Sequence, residues 1–188
     1  TQKNIYLVDS LAEKILGVRH DNGRDYWVIV RKHFINEMYA FLVTPEGVAT
    51  NPVISTVNND KNLFGGVGQI VVNGQGNKIA EVVFETTVDT AMVRTGIILY
   101  DFNNSSGVVT NAEVYHSLDY DSINQLNFYS CSFSPDDQQV YYSVSDISLN
   151  GIDYIYQINL SSWPTSTPIM HQIDSSYTIF VSETYTFF

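Results

Sequence analysis

An all-β fold follows from three features of the sequence. Aromatic residues make up 13% of the 188 positions, with 13 Tyr and 10 Phe, and Val and Ile are abundant. Such side chains suit a pleated strand better than a helix. A strand–turn–strand unit then recurs about three times. Finally, several strands are apolar without alternation, such as 26–30 and 97–100. A strand reads that way when both faces of its sheet are buried. Sheets stacked around a hub meet that condition, whereas a two-sheet sandwich leaves one face of each sheet in water and alternates more cleanly.

The first unit begins near Lys14. Ile15 to Val18 is a short apolar run, and Asp21-Asn22-Gly23-Arg24-Asp25 is a hairpin turn, because Asn-Gly supplies the positive φ a tight hairpin needs. Tyr26 to Val30 is the second strand, Met38 to Val43 the third, and Val53 to Val57 a candidate fourth. Ser10-Leu11-Ala12-Glu13 also fits a helix capping box, with Leu11, Ile15 and Leu16 behind it. Gly17, Val18 and the Asn-Gly turn leave little room for a helix, and consistency with the later units favours a strand.

The second unit runs Gln69 to Val72, a turn at 73–78, Ile79 to Phe84, Thr95 to Phe102, a turn at 103–107, and Ala112 to His116. The third runs Phe128 to Phe133, the Ser134-Pro135-Asp136-Asp137 turn, Val140 to Val144, Tyr154 to Leu160, and Ile169 to Ile173. The second strands begin at Tyr26, Ile79 and Val140, about 53 and 61 residues apart. The third strands end at Val43, Phe102 and Leu160, about 59 and 58 residues apart. Four short strands at that period are the pattern of β-propeller blades. The chain is therefore expected to be one partial propeller domain over 1–188, with blades at about 14–58, 67–117 and 126–174 and a further blade beginning at 175–188. The innermost strands would be Ile15–Val18, Gln69–Val72 and Phe128–Phe133. Three blades cannot close a ring, so the rest of the blades of the same polypeptide are expected outside this sequence.

The segment Phe133-Ser-Pro-Asp-Asp-Gln-Gln-Val-Tyr141 resembles the bacterial propeller signature Phe-Ser-Pro-Asp-Gly-Lys-Lys-Leu-Tyr-Val. Residues 14–48 are similar to a Bacteroidota-type propeller family, through Lys14 to His20, Asn22 to Val30 and Tyr39 to Val48. Asp101 to Gly107 fits the same family's third-strand turn. The resemblance implies a WD40-like or lactonase-like ring of seven blades. It also implies a secreted or surface protein of the kind that often carries type IX sorting or polycystic-kidney-disease-like domains. The sequence departs from that pattern at Asn73-Gly74-Gln75-Gly76, where Ser-Pro-Asp-Gly is usual, and at Asp137, where Gly is usual. Asn and Asp tolerate left-handed backbone, so these departures leave the fold intact. In the signature itself, Pro135 presets φ and Asp136 caps the turn, which is a structural role.

The formal net charge is −11. An acidic surface repels phosphate backbones and anionic lipid, which argues against a nucleic-acid partner and against docking on a membrane. No apolar run is long enough to span a bilayer, so membrane insertion is not expected. The single cysteine, Cys131, has no partner for an internal disulfide and no metal-ligand spacing. It reads as a buried core thiol, sharing a strand face with Tyr129 and Phe133.

No catalytic, cofactor or metal residue is assigned from the sequence. Asp101, Asn103, Asn104 and Gly107 loosely suggest a calcium loop but lack its alternating carboxylates, so an Asx turn is the reading. Gly65-Gly66-Val67-Gly68 and Gly74-Gln75-Gly76 are followed by strands and not by the helix a phosphate cradle needs. His20, His33, His116 and His171 form no paired motif. The Asp119–Asp121 and Asp136–Asp137 pairs read as solvated turn charges, and Arg31-Lys32-His33 as a loop cluster too small for nucleic acid. Two functions are carried forward. One is a non-enzymatic scaffold or binding module with a protein or glycan partner. The other is a lactonase-like hydrolase with its site at the hub, for which the inner strands offer mainly Arg19, His20 and Gln69.

Overall fold

The computed structural model describes residues 4–59, 65–86, 93–119, 126–146, 152–161 and 170–177. They form three antiparallel sheets, and no helix occurs among them. The first sheet holds β1 (Leu11–Arg19), β2 (Tyr26–Lys32), β3 (Glu37–Thr44), β4 (Gly47–Val48) and β5 (Val53–Thr56). The second holds β6 (Ile70–Val72), β7 (Lys78–Thr86), β8 (Val93–Asn103) and β9 (Val108–Asp119). The third holds β10 (Leu126–Phe133), β11 (Gln139–Asp146), β12 (Ile152–Asn159) and β13 (Met170–Tyr177). Each is an up-and-down meander in chain order. β4 and β5 both pair with β3 and so share the fourth position. The break between them contains Pro52, which has no N–H to give to a ladder. Residues 11–13 extend β1 and form no helical turn.

The three hairpins that join first and second strands are the same structure. In each, the first turn residue accepts an N–H bond from the residue three on: Gly23 to His20, Gly76 to Asn73, and Asp137 to Ser134. The donors have φ of 71°, 70° and 58°. Gly fits that conformation freely, while Asp137 adopts it at a cost. These equivalent positions carry the same offsets as the second strands, so the repeat holds at the level of single backbone atoms.

The sheets stack side by side, with the second in the middle. Along β8, Ile98, Tyr100 and Phe102 pack toward the first sheet with Leu16, Trp27 and Ile29. Ile97 and Leu99 pack toward the third with Phe128, Val140 and Tyr142. This is why β8 is apolar at every central position.

Three expectations are corrected or sharpened. Tyr129 does not share a face with Cys131: it is 68% exposed, while Cys131 is 5% exposed. A register shift between Phe128 and Cys131 breaks the alternation of β10. Arg31 and Lys32 are not in a loop but end β2. Residues 175–177 lie within β13, the last strand of the third sheet. Residues 178–188, where a further unit was expected, lie outside the described residues.

Candidate functional site

Among the described residues, a buried cluster of charged side chains lies between the first and second sheets. Lys14 on β1 and Arg31 on β2 both reach Glu81 on β7, at 2.9 Å and 2.7 Å, and all three side chains are fully buried. Lys14 also donates to the Val82 carbonyl at 2.8 Å, Arg31 donates to Tyr100 Oη at 2.8 Å, and Tyr100 donates to Glu81 at 2.6 Å. Burial pushes the Glu81 pKa up, but Arg31, Lys14 and Tyr100 outweigh it and hold the carboxyl below its ordinary value. Burial likewise opposes the charge on Arg31, and Glu81 and Tyr100 more than offset it. Lys14 is pulled below its ordinary pKa by burial, which Glu81 only partly offsets. The group is sealed by packed sheets on both sides, so no substrate reaches it. Its geometry is that of an interlock between neighbouring blades.

The residues singled out from sequence are mostly committed elsewhere. Arg19 donates to the Gly23 carbonyl. His20 stacks on Trp27 at 5.4 Å and accepts from the Asn22 N–H through Nδ1. Gln69 accepts the Cys131 N–H at 2.9 Å, bridging the second and third sheets. These three do not converge into a hub site. Asn103 accepts from Ser105 and Ser106, and Asp101 is engaged by Lys78 and Asn111, so the loop is an Asx turn. Asp136 accepts from Ser134 at 2.6 Å, a bond that lowers its pKa. Asp137 accepts from the Gly74 and Gln75 N–H groups and from Asn73 Nδ2, at 2.8, 3.0 and 3.1 Å. Cys131 is a core thiol, its pKa pushed up to about 12 by burial. Asp121, and with it the Asp119–Asp121 pair, lies outside the described residues. His116 and His171 fall in β9 and β13. Among the described residues no three His, Cys, Asp or Glu side chains group to hold a metal.

One open cavity does collect chemistry-bearing side chains. It has a volume of about 380 Å³ and is lined by the start of β1 (Leu11, Ala12, Glu13), the β2–β3 turn (His33, Phe34), Gly66, Val67 and Phe84. Because the sheets are meanders, this is the end of the molecule opposite the three equivalent hairpins. Backbone bonds fasten its walls: Glu13 N–H to the Gly66 carbonyl at 2.8 Å, and His33 N–H to the Ser10 carbonyl at 2.8 Å. The glycines let the incoming chain lie close to the β2–β3 turn on one side and to β7 on the other. A Cβ on Gly66 would sit 2.7 Å from His33 Nε2, and one on Gly68, where φ is 117°, would sit 2.3 Å from the Val82 carbonyl oxygen. The glycine run is thus a close-approach segment beside β7, not a phosphate cradle. His33 and Phe34 stack with ring centroids 3.6 Å apart. In the sequence His33 stands out only as one of four scattered histidines and as the end of the Arg31-Lys32-His33 cluster, Glu13 only as the last residue of a candidate capping box, and Phe34 not at all. The signal that was available is an exposed-type Glu opening an apolar strand.

No protein-family model and no curated protein matches the chain. Solved structures do. An α-L-arabinanase from Penicillium chrysogenum, solved with arabinobiose, aligns at TM-score 0.56 and 10% identity over 93% of this chain and 51% of its own. Hydrazine synthase from Kuenenia stuttgartiensis aligns at TM-score 0.47 and 10% identity, over 81% of this chain and 40% of its own. A periplasmic gluconolactonase from Pseudomonas aeruginosa aligns at TM-score 0.45 and 8% identity, over 90% and 58%. The chain spans about half the length of these structures. At such identity the arabinanase likeness speaks to fold alone. Together with the three stacked meanders it makes this chain an all-β, partial propeller.

Proposed function

We propose that the chain is a blade set of a secreted or cell-surface propeller that acts as a non-enzymatic binding scaffold, holding a protein partner over the Glu13–His33–Phe34 cavity. The observation that carries this reading is the division of labour between buried and open chemistry. The buried charged groups are sealed in the Lys14–Arg31–Glu81–Tyr100 interlock, which ties the first sheet to the second. The open cavity presents a carboxylate, an imidazole and an aromatic face, which is contact chemistry. Export follows from the resemblance of residues 14–48 and 133–141 to surface propellers.

A second reading, a propeller hydrolase, is favoured by the same cavity, because a carboxylate and an imidazole can serve as acid and base. One screen separates the two. The chain is offered a peptide panel and a glycan panel for binding, and lactones and aryl arabinosides for turnover. Binding that weakens in Glu13→Gln, with no turnover, supports the scaffold. Turnover that disappears in Glu13→Gln or His33→Gln supports the hydrolase and removes the scaffold reading.

A further inference from the structure

We infer that the Glu13–His33–Phe34 cavity receives an arginine side chain from a basic segment of a partner protein. The inference rests on the scaffold reading and adds the chemistry of the contact.

Three independent observations converge on a flat cation. The first is the Glu13 carboxylate, exposed at the cavity wall, with no donor bonded to it among the described residues. The second is Phe34. It is 61% exposed with φ of 64°. A bulky aromatic side chain in left-handed backbone is an outlier, and such strain persists where its surroundings or its use demand it. Here it presents a ring, backed by the stacked His33, at the cavity mouth. An aromatic ring and a carboxylate lining one cavity can hold a guanidinium, through ring stacking and charge-assisted hydrogen bonds.

The third is the disposition of charge. The net charge is −11. Among the described basic side chains, Lys14 and Arg31 are buried on Glu81, Arg24, Lys32 and Lys78 are paired with Asp25, Asp9 and Asp101, and the exposed Arg19 lies at the opposite end, bonded to the Gly23 carbonyl. The chain as a whole therefore favours basic partners over acidic ones, and Glu13 is the acidic group among the described residues lining the cavity. A neutral saccharide would use the aromatic face but gain nothing from that charge. It would also need more directional polar groups than Glu13 and His33 supply.

The test uses the 188-residue chain and two small probes, N-acetyl-arginine methylamide and its neutral isostere N-acetyl-citrulline methylamide. Amide NMR titration reads both the site and the affinity. Saturable binding of the arginine probe is expected, with shifts confined to residues 11–13, 33–34, 66–67 and 84. The citrulline probe should bind at least fivefold more weakly. Glu13→Gln should weaken the arginine probe at least fivefold. Phe34→Leu, which keeps the bulk and loses the ring face, should weaken it about threefold. Asp21→Asn, in the hairpin at the opposite end, should leave it unchanged. Equal binding of the two probes, or indifference to Glu13→Gln in a chain whose spectrum stays folded, overturns the inference. So does saturable binding of a neutral disaccharide at these residues without the arginine probe, which would leave the scaffold reading standing with a glycan partner. Loss of all binding at the cavity, for peptides and glycans alike, removes both.

Discussion

At the scale of single residues, Glu81 is the carboxylate that pairs with two fully buried cations, Lys14 and Arg31. Truncating it to Ala would leave Lys14 and Arg31 buried without their carboxylate. Breaking a buried pair in that way costs about 3–5 kcal/mol, and urea unfolding should show a loss of that size. Replacing the whole group with apolar residues (Lys14→Met, Arg31→Met, Glu81→Met, Tyr100→Phe) should recover most of it, because no charge is then stranded. If the fourfold variant is as unstable as Glu81→Ala, the cluster contributes more than mutual neutralisation. The pH dependence has a definite sign. The folded-state pKa of Glu81 lies below the ordinary 4.5. Its contribution is therefore fully present above about pH 4.5 and is lost as pH falls through the lowered folded value. Stability measured between pH 5 and pH 2 should fall less steeply in Glu81→Gln than in the parent chain. Cys131 gives a simpler check. With a buried thiol whose pKa is pushed up to about 12, its thiolate is scarce and shielded at pH 8. A chromogenic disulfide reagent should label it only as the chain unfolds, and rapid labelling of the native chain would place the sulfur at the surface.

At the scale of elements, the hairpins do more than reverse the chain. Asp137 stands where the equivalent turns have Gly23 and Gly76, and its carboxylate bridges to the neighbouring hairpin through three hydrogen bonds. Two effects compete in Asp137→Gly. Relief of the left-handed conformation is worth about 1–2 kcal/mol. Loss of bonds to a charged group at a partly exposed site is worth about 1.5–3 kcal/mol for the set. The variant should lose about 1 kcal/mol net, whereas Asp137→Ala, which keeps the strain and loses the bonds, should lose about twice that. A Gly variant more stable than the parent would show that the inter-hairpin bonds contribute nothing. The same element shows what was legible beforehand. The repeat, the hairpin positions and the meander order were readable because each depends on neighbours close in sequence: Asn-Gly turns, apolar runs, and a period near 58. The substitution at Asp137 read as a harmless departure, since its partners are more than 60 residues away. Glu13 and Gly66 meet only because two blades stack. Glu81 carried a faint signal, a charge inside the apolar run 79–84, while Lys14 beside Glu13 carried none, and their pairing needed the register of both sheets.

At the scale of the whole molecule, the two faces of the first sheet differ in how completely they are covered. The face toward the second sheet is sealed, with Leu16, Val18, Trp27 and Ile29 each 7% exposed or less. The other face is a groove of about 480 Å³ lined by Ile15, Val28, Val30, Phe41 and Val43, where Ile5, Tyr6, Leu7 and Val8 lie over it and Val30 and Phe41 are 6% and 2% exposed, but the β1 side stays open. Ile15 is 72% exposed and Tyr26 51% exposed. The middle sheet has apolar cover on both sides, so the repeat itself indicates that this face suits another sheet. Water is a poor substitute, since apolar area gains about 25 cal/mol per Å² on burial, and an apolar patch of this kind promotes association. The 188-residue chain alone should therefore associate as its concentration rises. Light scattering after size exclusion, run across a hundredfold range of concentration, should show the apparent mass increasing. Ile15→Glu places a charge at the exposed β1 side of the groove without touching the sealed face, so it should shift the chain toward monomer while leaving the unfolding free energy within about 0.5 kcal/mol. A parent chain that stays monomeric throughout that range would mean that the N-terminal segment covers the groove well enough in solution, and the first blade would then need no neighbour on that side.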